Sequence, residues 1–171
     1  MPAESAPVVL ARESLTYYLT NNRPMLLPAK LAPELSGQAG VFVSLKKNGR
    51  LRGCIGTFQP TTAAIGAEII QNAISAGTED PRFPAVKLAE LADITISVDV
   101  LAAPEAVDSP AQLDPQKYGI IVRRGSRRGL LLPMLAGVDT VAEQIAIARE
   151  KAGISPGEEI ELYRFTVTRY T

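Results

Sequence analysis

Apolar residues recur along this chain at two different spacings, one typical of helices and one of strands. Helical spacing is found over residues 8–20, from Thr61 or Thr62 to about Ala76, and from Thr140 to about Ala152. This spacing places apolar side chains on one stripe of a helix, so each stretch predicts an amphipathic helix. Gly77 and Gly153 follow the second and third stretches and indicate where those helices end.

Short apolar or alternating runs predict strands, several of them joined by tight turns. The runs are residues 41–45, 51–58, 94–100, 118–123, 129–132 and 159 to about 170. Asn48-Gly49 tolerates the positive φ of a two-residue hairpin turn, and Gly125-Ser126 joins a second pair. In the last run the alternation slips near Tyr163, which indicates a bulge or burial on both faces. Hairpins interspersed with helices predict an α+β fold, with a mostly antiparallel sheet packed by helices.

Length and composition define the class of protein. The 171 residues fit one domain, or two small lobes that share a core, and an apolar fraction of 46% is ordinary for a globular protein. The formal net charge is zero, so no overall field favours nucleic acid or a membrane surface. No run approaches the roughly 18 apolar residues of a membrane span, and a single cysteine indicates a reducing compartment. We therefore expect a soluble, cytoplasmic protein.

The absence of histidine removes several kinds of chemistry. Without histidine, neither a Ser-His-Asp triad nor a Cys-His pair can form. One cysteine cannot make a thiolate zinc site, and neither of the common glycine-rich phosphate-binding motifs occurs. We therefore expect neither a bound metal nor a cofactor.

The stretch Leu51-Arg52-Gly53-Cys54-Ile55-Gly56 holds the only cysteine, between two glycines. Glycines inside a strand indicate a bulge or the close approach of a backbone or ligand. The thiol is either a small buried hydrophobe, which is the commoner case, or a reachable nucleophile. Without histidine, only a nearby cation or a helix N-terminus could lower its pKa. Arg52 would lie on the same face as Cys54 in a regular strand.

The irregular loop Glu79–Pro84 is the second candidate element. Glu79 or Asp80 could act as acid or base, and the alternative is a solvated connection with Phe83 packed beneath it. We predict that this loop and Cys54 share one site, with the Glu79 and Asp80 carboxylates within about 12 Å of the sulfur. The loop would have to fold back to Cys54 or meet it across a boundary between lobes. Gly53 and Gly56 would leave room for an approaching group.

Basic residues cluster at the two predicted hairpins. Lys46, Lys47, Arg50 and Arg52 belong to the first hairpin, and Arg123, Arg124, Arg127 and Arg128 to the second. Such clusters could bind phosphates or a nucleic-acid backbone. Charged turns also keep hairpin tips solvated and block pairing at sheet edges, which is the commoner explanation. No interleaved aromatic residues support base stacking.

Four motifs, taken together, resemble the AMMECR domain family. They are the Leu51–Gly56 hexapeptide, the Glu79–Pro84 loop, residues 124–133 and residues 161–165. The resemblance covers nearly the whole chain in order. It implies a single α+β domain over residues 1–171, formed by two interleaved lobes with a cleft near the hexapeptide and the loop. It assigns no reaction. Some members of the family are fused to, or encoded beside, a Memo-type domain and a radical-SAM protein, which implies partners of those kinds.

The leading hypothesis is a cytoplasmic protein whose cleft binds a small polar or anionic ligand, either as an enzyme or as a binding protein. Cys54 would be the nucleophile or a ligand contact, Glu79 or Asp80 the acid or base, and Arg52, Gly53, Gly56 and Arg82 would line the ligand site. The alternative is a non-enzymatic interaction module that acts with Memo-type or radical-SAM proteins. A weaker alternative is nucleic-acid binding through the basic hairpins.

Overall fold

The chain forms two units, each with a four-stranded sheet and at least one α-helix. The structure is a computed structural model that describes residues 2–171. The first unit contains the described residues up to Leu101 together with Thr168–Thr171, and the second contains Ala102–Val167. Helices and antiparallel pairs occur in both units, which confirms the predicted α+β class.

The helices and strands follow one another in the order that the apolar pattern predicts, except that a short strand, β4, is added and the last predicted strand is divided into two. The α-helices are α1 (Ala6–Asn21), α2 (Ile65–Thr78) and α3 (Val141–Ala152). The strands are β1 (Val41–Lys47), β2 (Arg50–Gly56), β3 (Ile94–Leu101), β4 (Glu105–Val107), β5 (Gly119–Arg124), β6 (Arg127–Leu131), β7 (Glu161–Phe165) and β8 (Val167–Tyr170). Short 3-10 helices lie at Pro33–Leu35, Leu88–Asp93 and Pro110–Gln112. Within residues 2–171, no helix combines the length and the apolar character that crossing a bilayer requires.

The sheet of the first unit has one apolar face and one more polar face. Its strand order is β2-β1-β3-β8, so β2 is an edge strand. Alternate residues of β1, namely Val41, Val43 and Leu45, are fully buried in the core that the sheet forms with α1 and α2. The residues between them, Phe42 and Ser44, are half-buried on the opposite face. Period-two alternation therefore separates a helix-packed face from a more accessible one.

The second unit is built in a similar way with a single α-helix. Its strand order is β4-β7-β5-β6, and α3 packs against β5 and β6. Ile120 and Val122 of β5 are fully buried in a core that also contains Ala148 of α3. The side chain of Gln144, also on α3, donates a hydrogen bond to the Tyr118 carbonyl at 2.9 Å.

Both predicted hairpins are confirmed, with the predicted two-residue turns. In the first hairpin Lys47 pairs with Arg50 across the turn, and Asn48 and Gly49 have φ angles of 51° and 75°. Positive φ at both central residues is the geometry of a type I′ turn. In the second hairpin Arg124 pairs with Arg127.

A bulge in the first hairpin changes which face carries Cys54. Near the turn Lys46 pairs with Leu51, but the next pair is Leu45 with Gly53, so Arg52 is an extra residue. A regular hairpin would place Cys54 opposite Val43, on the helix-packed face. The one-residue shift instead places it opposite Ser44, since a shift of one residue turns a side chain to the other face.

The predicted limits of α2 are wrong at both ends. Thr61 and Thr62 do not begin the helix, because their hydroxyl groups and backbone N–H groups hydrogen-bond to the buried carboxylate of Glu68. The helix also continues past Gly77 and ends at Thr78. Gly77 is required by packing instead, since a Cβ there would meet the Leu15 side chain at 2.5 Å.

The last predicted strand is two strands in two different sheets. β7 ends at Phe165 and pairs with β4 and β5, whereas β8 begins at Val167 and lies next to β3. The slip in alternation near Tyr163 falls inside β7, where Leu162, Tyr163 and Arg164 are all half-buried and Phe165 is buried. It therefore reflects burial on both faces, the second of the two predicted causes. The chain leaves this sheet only afterwards, around Thr166.

Candidate functional site

Cys54 lies on the more polar face of the first sheet, in the edge strand β2. It is half-buried and does not belong to the helix-packed core. Its sulfur lies 3.2 Å from the hydroxyl oxygen of Ser44, its cross-strand partner on β1. Because Cys54 is opposite Ser44 rather than Val43, the bulge at Arg52 is what moves the thiol out of the apolar core.

Asp80 binds the backbone of Cys54 at the free edge of the sheet. The Cys54 N–H donates to Asp80 Oδ2 at 3.0 Å. An edge strand leaves such N–H groups without a strand partner, and here a side chain takes the partner's place. The Asp80 side chain is only 2% exposed, so the loop is held closely against β2.

Arg82 completes this connection between the loop and the strand. Its Nε and Nη2 atoms donate to the two Asp80 carboxylate oxygens at 3.0 and 2.8 Å. Nη2 also lies 3.4 Å from the Cys54 carbonyl oxygen, and the guanidinium carbon is 5.5 Å from the centre of the Phe83 ring. The Arg82 side chain is nevertheless 56% exposed, so it also faces solvent.

Cys54, Asp80 and Arg82 therefore meet, although 26 residues separate the first two along the chain. The Asp80 carboxylate lies far closer to Cys54 than the predicted limit of about 12 Å. All three residues belong to the first unit, so the loop folds back to β2 and crosses no boundary between units.

The environment determines the protonation states of the thiol and the carboxylate. Burial raises the pKa of the Cys54 thiol, and the opposing effects of the Ser44 hydrogen bond and the Arg82 charge are smaller. The Arg82 hydrogen bonds hold the pKa of Asp80 well below its usual range, although burial acts in the other direction. At neutral pH the site therefore contains a protonated thiol and an ionised, fully engaged carboxylate.

The two glycines beside Cys54 accommodate the protein's own atoms. A Cβ on Gly53 would lie 2.1 Å from the carbonyl oxygen of Ala76 in α2, and a Cβ on Gly56 would lie 2.3 Å from the Phe42 ring. The expectation that these glycines leave room for a ligand is therefore wrong at those positions. They allow the helix and the aromatic ring to approach the strand.

Arg52 is occupied by the protein itself. Its guanidinium group donates to both carboxylate oxygens of Glu90, at 3.2 and 3.1 Å, and to the Pro84 carbonyl oxygen at 2.8 Å. Lys47 also contacts Glu90, at 3.0 Å. Together with the Lys87 backbone N–H, these cations lower the pKa of Glu90 to about 2. Arg52 therefore connects β2 to the segment after the loop, and its side chain is only 14% exposed.

The remaining predicted residues lie apart from these contacts or have partners of their own. Glu79 is exposed at the C-terminal end of α2, and Lys46 and Arg50 are exposed in the first hairpin. In the second hairpin, Arg123 pairs with Glu161, and both Arg124 and Arg127 pair with Glu158. Arg128 is exposed next to Arg127.

Four residues at the site were missed by the sequence analysis, namely Ser44, Glu90, Asp99 and Arg169. Ser44 could not be identified, because a regular hairpin places it opposite Gly53. Asp99 gave a weak signal as a carboxylate inside an apolar alternating strand. It is 2% exposed and is bound by Arg169 through Nε and Nη2 at 2.7 and 2.8 Å.

Two surface grooves do not coincide with this site. One, of about 610 Å³, follows α1 and includes Val9, Tyr17 and Met25. The other, of about 540 Å³, follows α3 and includes Ile145 and Ile154. Among residues 2–171, no three cysteine or carboxylate side chains lie close enough together to hold a metal ion. The candidate site is therefore defined by its side-chain geometry and not by a groove.

Comparison with known proteins gives a consistent assignment. The AMMECR1 family description matches residues 8–170. A Thermotoga maritima protein is 54% identical over 147 residues, with 84% of each chain covered. A Clostridium acetobutylicum protein is 53% identical over 165 residues, which are 95% of this chain but only 35% of that relative. The crystal structure of an uncharacterised Pyrococcus horikoshii protein is similar with a TM-score of 0.88 at 34% identity, covering 95% of this chain and 88% of that one.

Proposed function

The chain belongs to the AMMECR1 family, and we propose that it binds a small anionic ligand beside Cys54, with Arg82 as the anion contact. The observation that carries this proposal is the way Arg82 is held. Asp80 occupies its Nε and Nη2 atoms, while its Nη1 atom has no hydrogen-bond partner among the described residues. A guanidinium fixed on one edge presents its other donors in a defined direction, which suits a carboxylate or phosphate.

Fixing Arg82 in advance makes ligand binding less costly. A free arginine loses side-chain entropy when it orders around an anion, whereas Arg82 is already ordered by Asp80 and lies against Phe83. Its exposure of 56% leaves it accessible from solvent. Arg52 is not available for this role, because its guanidinium group is bound to Glu90 and to backbone carbonyls.

Cys54 acts in this proposal as a ligand contact. Its raised pKa keeps it as a thiol at neutral pH, and a thiol is a weak nucleophile but can donate a hydrogen bond. A catalytic role would require a base that takes the thiol proton. Asp80 is unsuited to this task because its oxygens are engaged, whereas the Glu79 side chain has no hydrogen-bond partner among the described residues. We propose this activity in the cytoplasm, where a single thiol stays reduced.

Alkylation of Cys54 by the neutral reagent iodoacetamide tests the proposal, because Cys54 is the only thiol. The rate would be measured with inorganic phosphate, with acetate, and with chloride at matched ionic strength. Arg82→Gln removes the proposed contact, Arg82→Lys keeps a charge beside Asp80, and Arg50→Gln removes an exposed charge at the hairpin tip as a control. Thermal unfolding of each variant would confirm that it folds.

We expect phosphate or acetate to slow alkylation of the wild-type protein and of the Arg50→Gln variant, beyond any effect of chloride. The protection should disappear in Arg82→Gln and weaken in Arg82→Lys, because a lysine offers a single point charge rather than a planar fork. Equal protection in Arg82→Gln and in the wild type would contradict the assignment of Arg82. No protection by either anion would contradict the proposed function.

A second candidate function is that of an interaction module, and the Clostridium acetobutylicum relative favours it. The unmatched part of that protein is nearly twice as long as the matched part, since the match covers 35% of it. A domain joined to a longer polypeptide can act on a ligand that its neighbour supplies. The resemblance implies Memo-type or radical-SAM proteins as such partners. Expressing the matched and unmatched parts of that relative separately should give co-elution in size-exclusion chromatography if the two parts interact.

A further inference from the structure

We propose that the ligand carries two anionic groups, and that Arg169 on β8 binds the second one. This inference rests on the proposed function, because it assumes that Arg82 binds the first group. Arg169 and its partner Asp99 lie in the first unit, on strands that the sheet places beside the Cys54 strand. Neither residue belongs to the motifs that mark the site in the sequence.

The sheet register aligns a row of small polar side chains between the two arginines. Cys54 on β2 pairs with Ser44 on β1, and Ser44 pairs with Ser97 on β3. Directly paired residues point to the same face of a sheet. All three are half-buried, in contrast to the fully buried residues that alternate with them on β1. Asp99 lies two residues beyond Ser97 and so projects from this same face.

The Arg169–Asp99 pair repeats the geometry of the Arg82–Asp80 pair. In both, Nε and Nη2 of the arginine contact the two carboxylate oxygens at distances of 2.7–3.0 Å. In both, the aspartate is almost fully buried while the arginine is partly exposed, 30% for the Arg169 side chain. Nη1 of Arg169, like that of Arg82, has no hydrogen-bond partner among the described residues. Two cations are therefore fixed in the same manner on either side of Cys54.

The spacing of the strands indicates what these cations can bind. Arg82 is attached at the outer edge of β2, and Asp99, which holds Arg169, lies on β3, the second strand along from β2. Two strand spacings amount to about 10 Å, which exceeds what one carboxylate or phosphate group can bridge. The ligand therefore has an anionic group at each end. Its middle passes the polar row of Cys54, Ser44 and Ser97, with the half-buried Phe42, the cross-strand partner of Asp99, to one side of that row.

Linear carboxylates of different length and charge test this inference on the intact chain. Adipate has a carboxylate at each end, hexanoate has the same carbon number with a single carboxylate, and malonate has two carboxylates that are too close together. Affinities would be measured by calorimetry, and the backbone amide signals of Cys54 and Ser97 would report where each probe binds. Arg169→Gln removes the second contact. The double variant Asp99→Asn/Arg169→Gln also removes the Asp99 carboxylate, so that no buried carboxylate is left without its cation. Arg50→Gln is the control for net charge.

We expect the wild type and Arg50→Gln to bind adipate at least about tenfold more tightly than hexanoate or malonate, because a second charge-assisted contact adds to the first. In Arg169→Gln and in the double variant, the affinity for adipate should fall to the affinity for hexanoate, while the affinity for hexanoate should be unchanged. The inference is overturned if the wild type binds adipate no more tightly than hexanoate, or if the loss of Arg169 weakens the binding of both probes equally. Hexanoate binding that depends on Arg82 would then still support the proposed function, whereas no binding of any probe would contradict both.

Discussion

The two hairpins of this protein are built on the same plan, and they differ at Cys54. In each, an Arg-Gly pair on the second strand places a glycine beneath the following helix. A Cβ at Gly53 or at Gly129 would lie 2.1 Å from an alanine carbonyl oxygen of that helix. The residue after Gly53 is Cys54, whereas the residue after Gly129 is Leu130, which pairs with the buried Ile121.

The edges of the two hairpins are also held differently. In the second hairpin, Lys151 of α3 reaches the Leu130 carbonyl oxygen at 3.4 Å, much as Arg82 reaches that of Cys54. The Cys54 N–H, however, is also bound by a buried aspartate, and the first hairpin contains a bulge while the second is regular. A hairpin packed against a helix therefore requires neither the cysteine, nor the aspartate, nor the bulge. Their presence in one hairpin is better explained by a site than by the fold.

The largest effect should come from filling the space beneath the helix in either hairpin. Gly53→Ala and Gly129→Ala should each lower the free energy of unfolding by about 3 kcal/mol, because a backbone carbonyl cannot move aside as a side chain can. Urea unfolding would measure the free energy of unfolding of each variant. Gly157→Ala is the matched control, with no atom within 4 Å of its added Cβ, and should change stability by less than about 0.5 kcal/mol. Tolerance of alanine at only one of the two positions would show that the hairpins are not built alike.

Removing the buried carboxylate should cost less, and only in the first hairpin. Asp80→Asn should lower the free energy of unfolding by about 2 kcal/mol at neutral pH, because it loses the charge that binds Arg82 and the Cys54 N–H. Since the folded state lowers the pKa of Asp80, its contribution is present above the unfolded pKa, about 3.9, and is lost as the pH falls below it.

Urea unfolding between neutral and acid pH would measure this difference. The gap between the wild type and Asp80→Asn should close as the pH falls below about 4. Asp93→Asn, a change at an exposed position, serves as the control. A gap that stays constant down to the lowest pH would mean that the carboxylate is not ionised in the folded protein.

A smaller loss of stability should follow from removing the Glu90 carboxylate, which binds two cations of the first hairpin. Glu90→Gln should lower the free energy of unfolding by about 1 kcal/mol, because Arg52 and Lys47 share this carboxylate, which is only 19% exposed. Glu158→Gln, which removes the partner of Arg124 and Arg127 of the second hairpin, should have less effect, since the Glu158 side chain is 31% exposed. Differential scanning calorimetry would compare the two variants. A larger loss of stability in Glu158→Gln than in Glu90→Gln would contradict the expectation that the more buried carboxylate contributes more.

The smallest effect concerns nucleic acid, for which we expect no appreciable binding by either hairpin. The cations that could form a phosphate-binding strip are largely paired, Arg52 with Glu90 and Arg127 with Glu158. Filter binding of DNA and RNA at low salt should show no retention. Retention that falls steeply with salt, with a logarithmic slope near −4, would instead indicate about four or five phosphate contacts.

Much of the fold could be predicted because it depends on short-range residue choice. The Asn48-Gly49 turn, the Thr140 N-cap and the Gly153 C-cap each follow from the backbone preferences of one or two residues. Predictions failed where a distant partner intervened. Gly77 did not end α2, because Leu15 of α1 packs against it and the helix continues.

The site could be predicted only in part, for a similar reason. Cys54 and the loop stand out by composition, and the structure brings Asp80 and Arg82 to Cys54. The partner of Arg52 was beyond prediction, since Glu90 lies 38 residues away in an unremarkable segment. The Asp99–Arg169 contact spans 70 residues and depends on β8 lying beside β3.

Local preferences therefore decided the turns, the hairpins and most helix and strand positions, because they act over a few residues whatever surrounds them. Tertiary structure decided which face carries Cys54 and which cations remain available to a ligand. The single extra residue at Arg52 moves the thiol from the helix-packed face to the polar one. Glu90 and distant backbone carbonyls bind the guanidinium group of Arg52, whereas Asp80 and Asp99 leave Nη1 of Arg82 and of Arg169 open. Except for the short-range Asp80–Arg82 pair, no spacing along the chain could reveal these contacts.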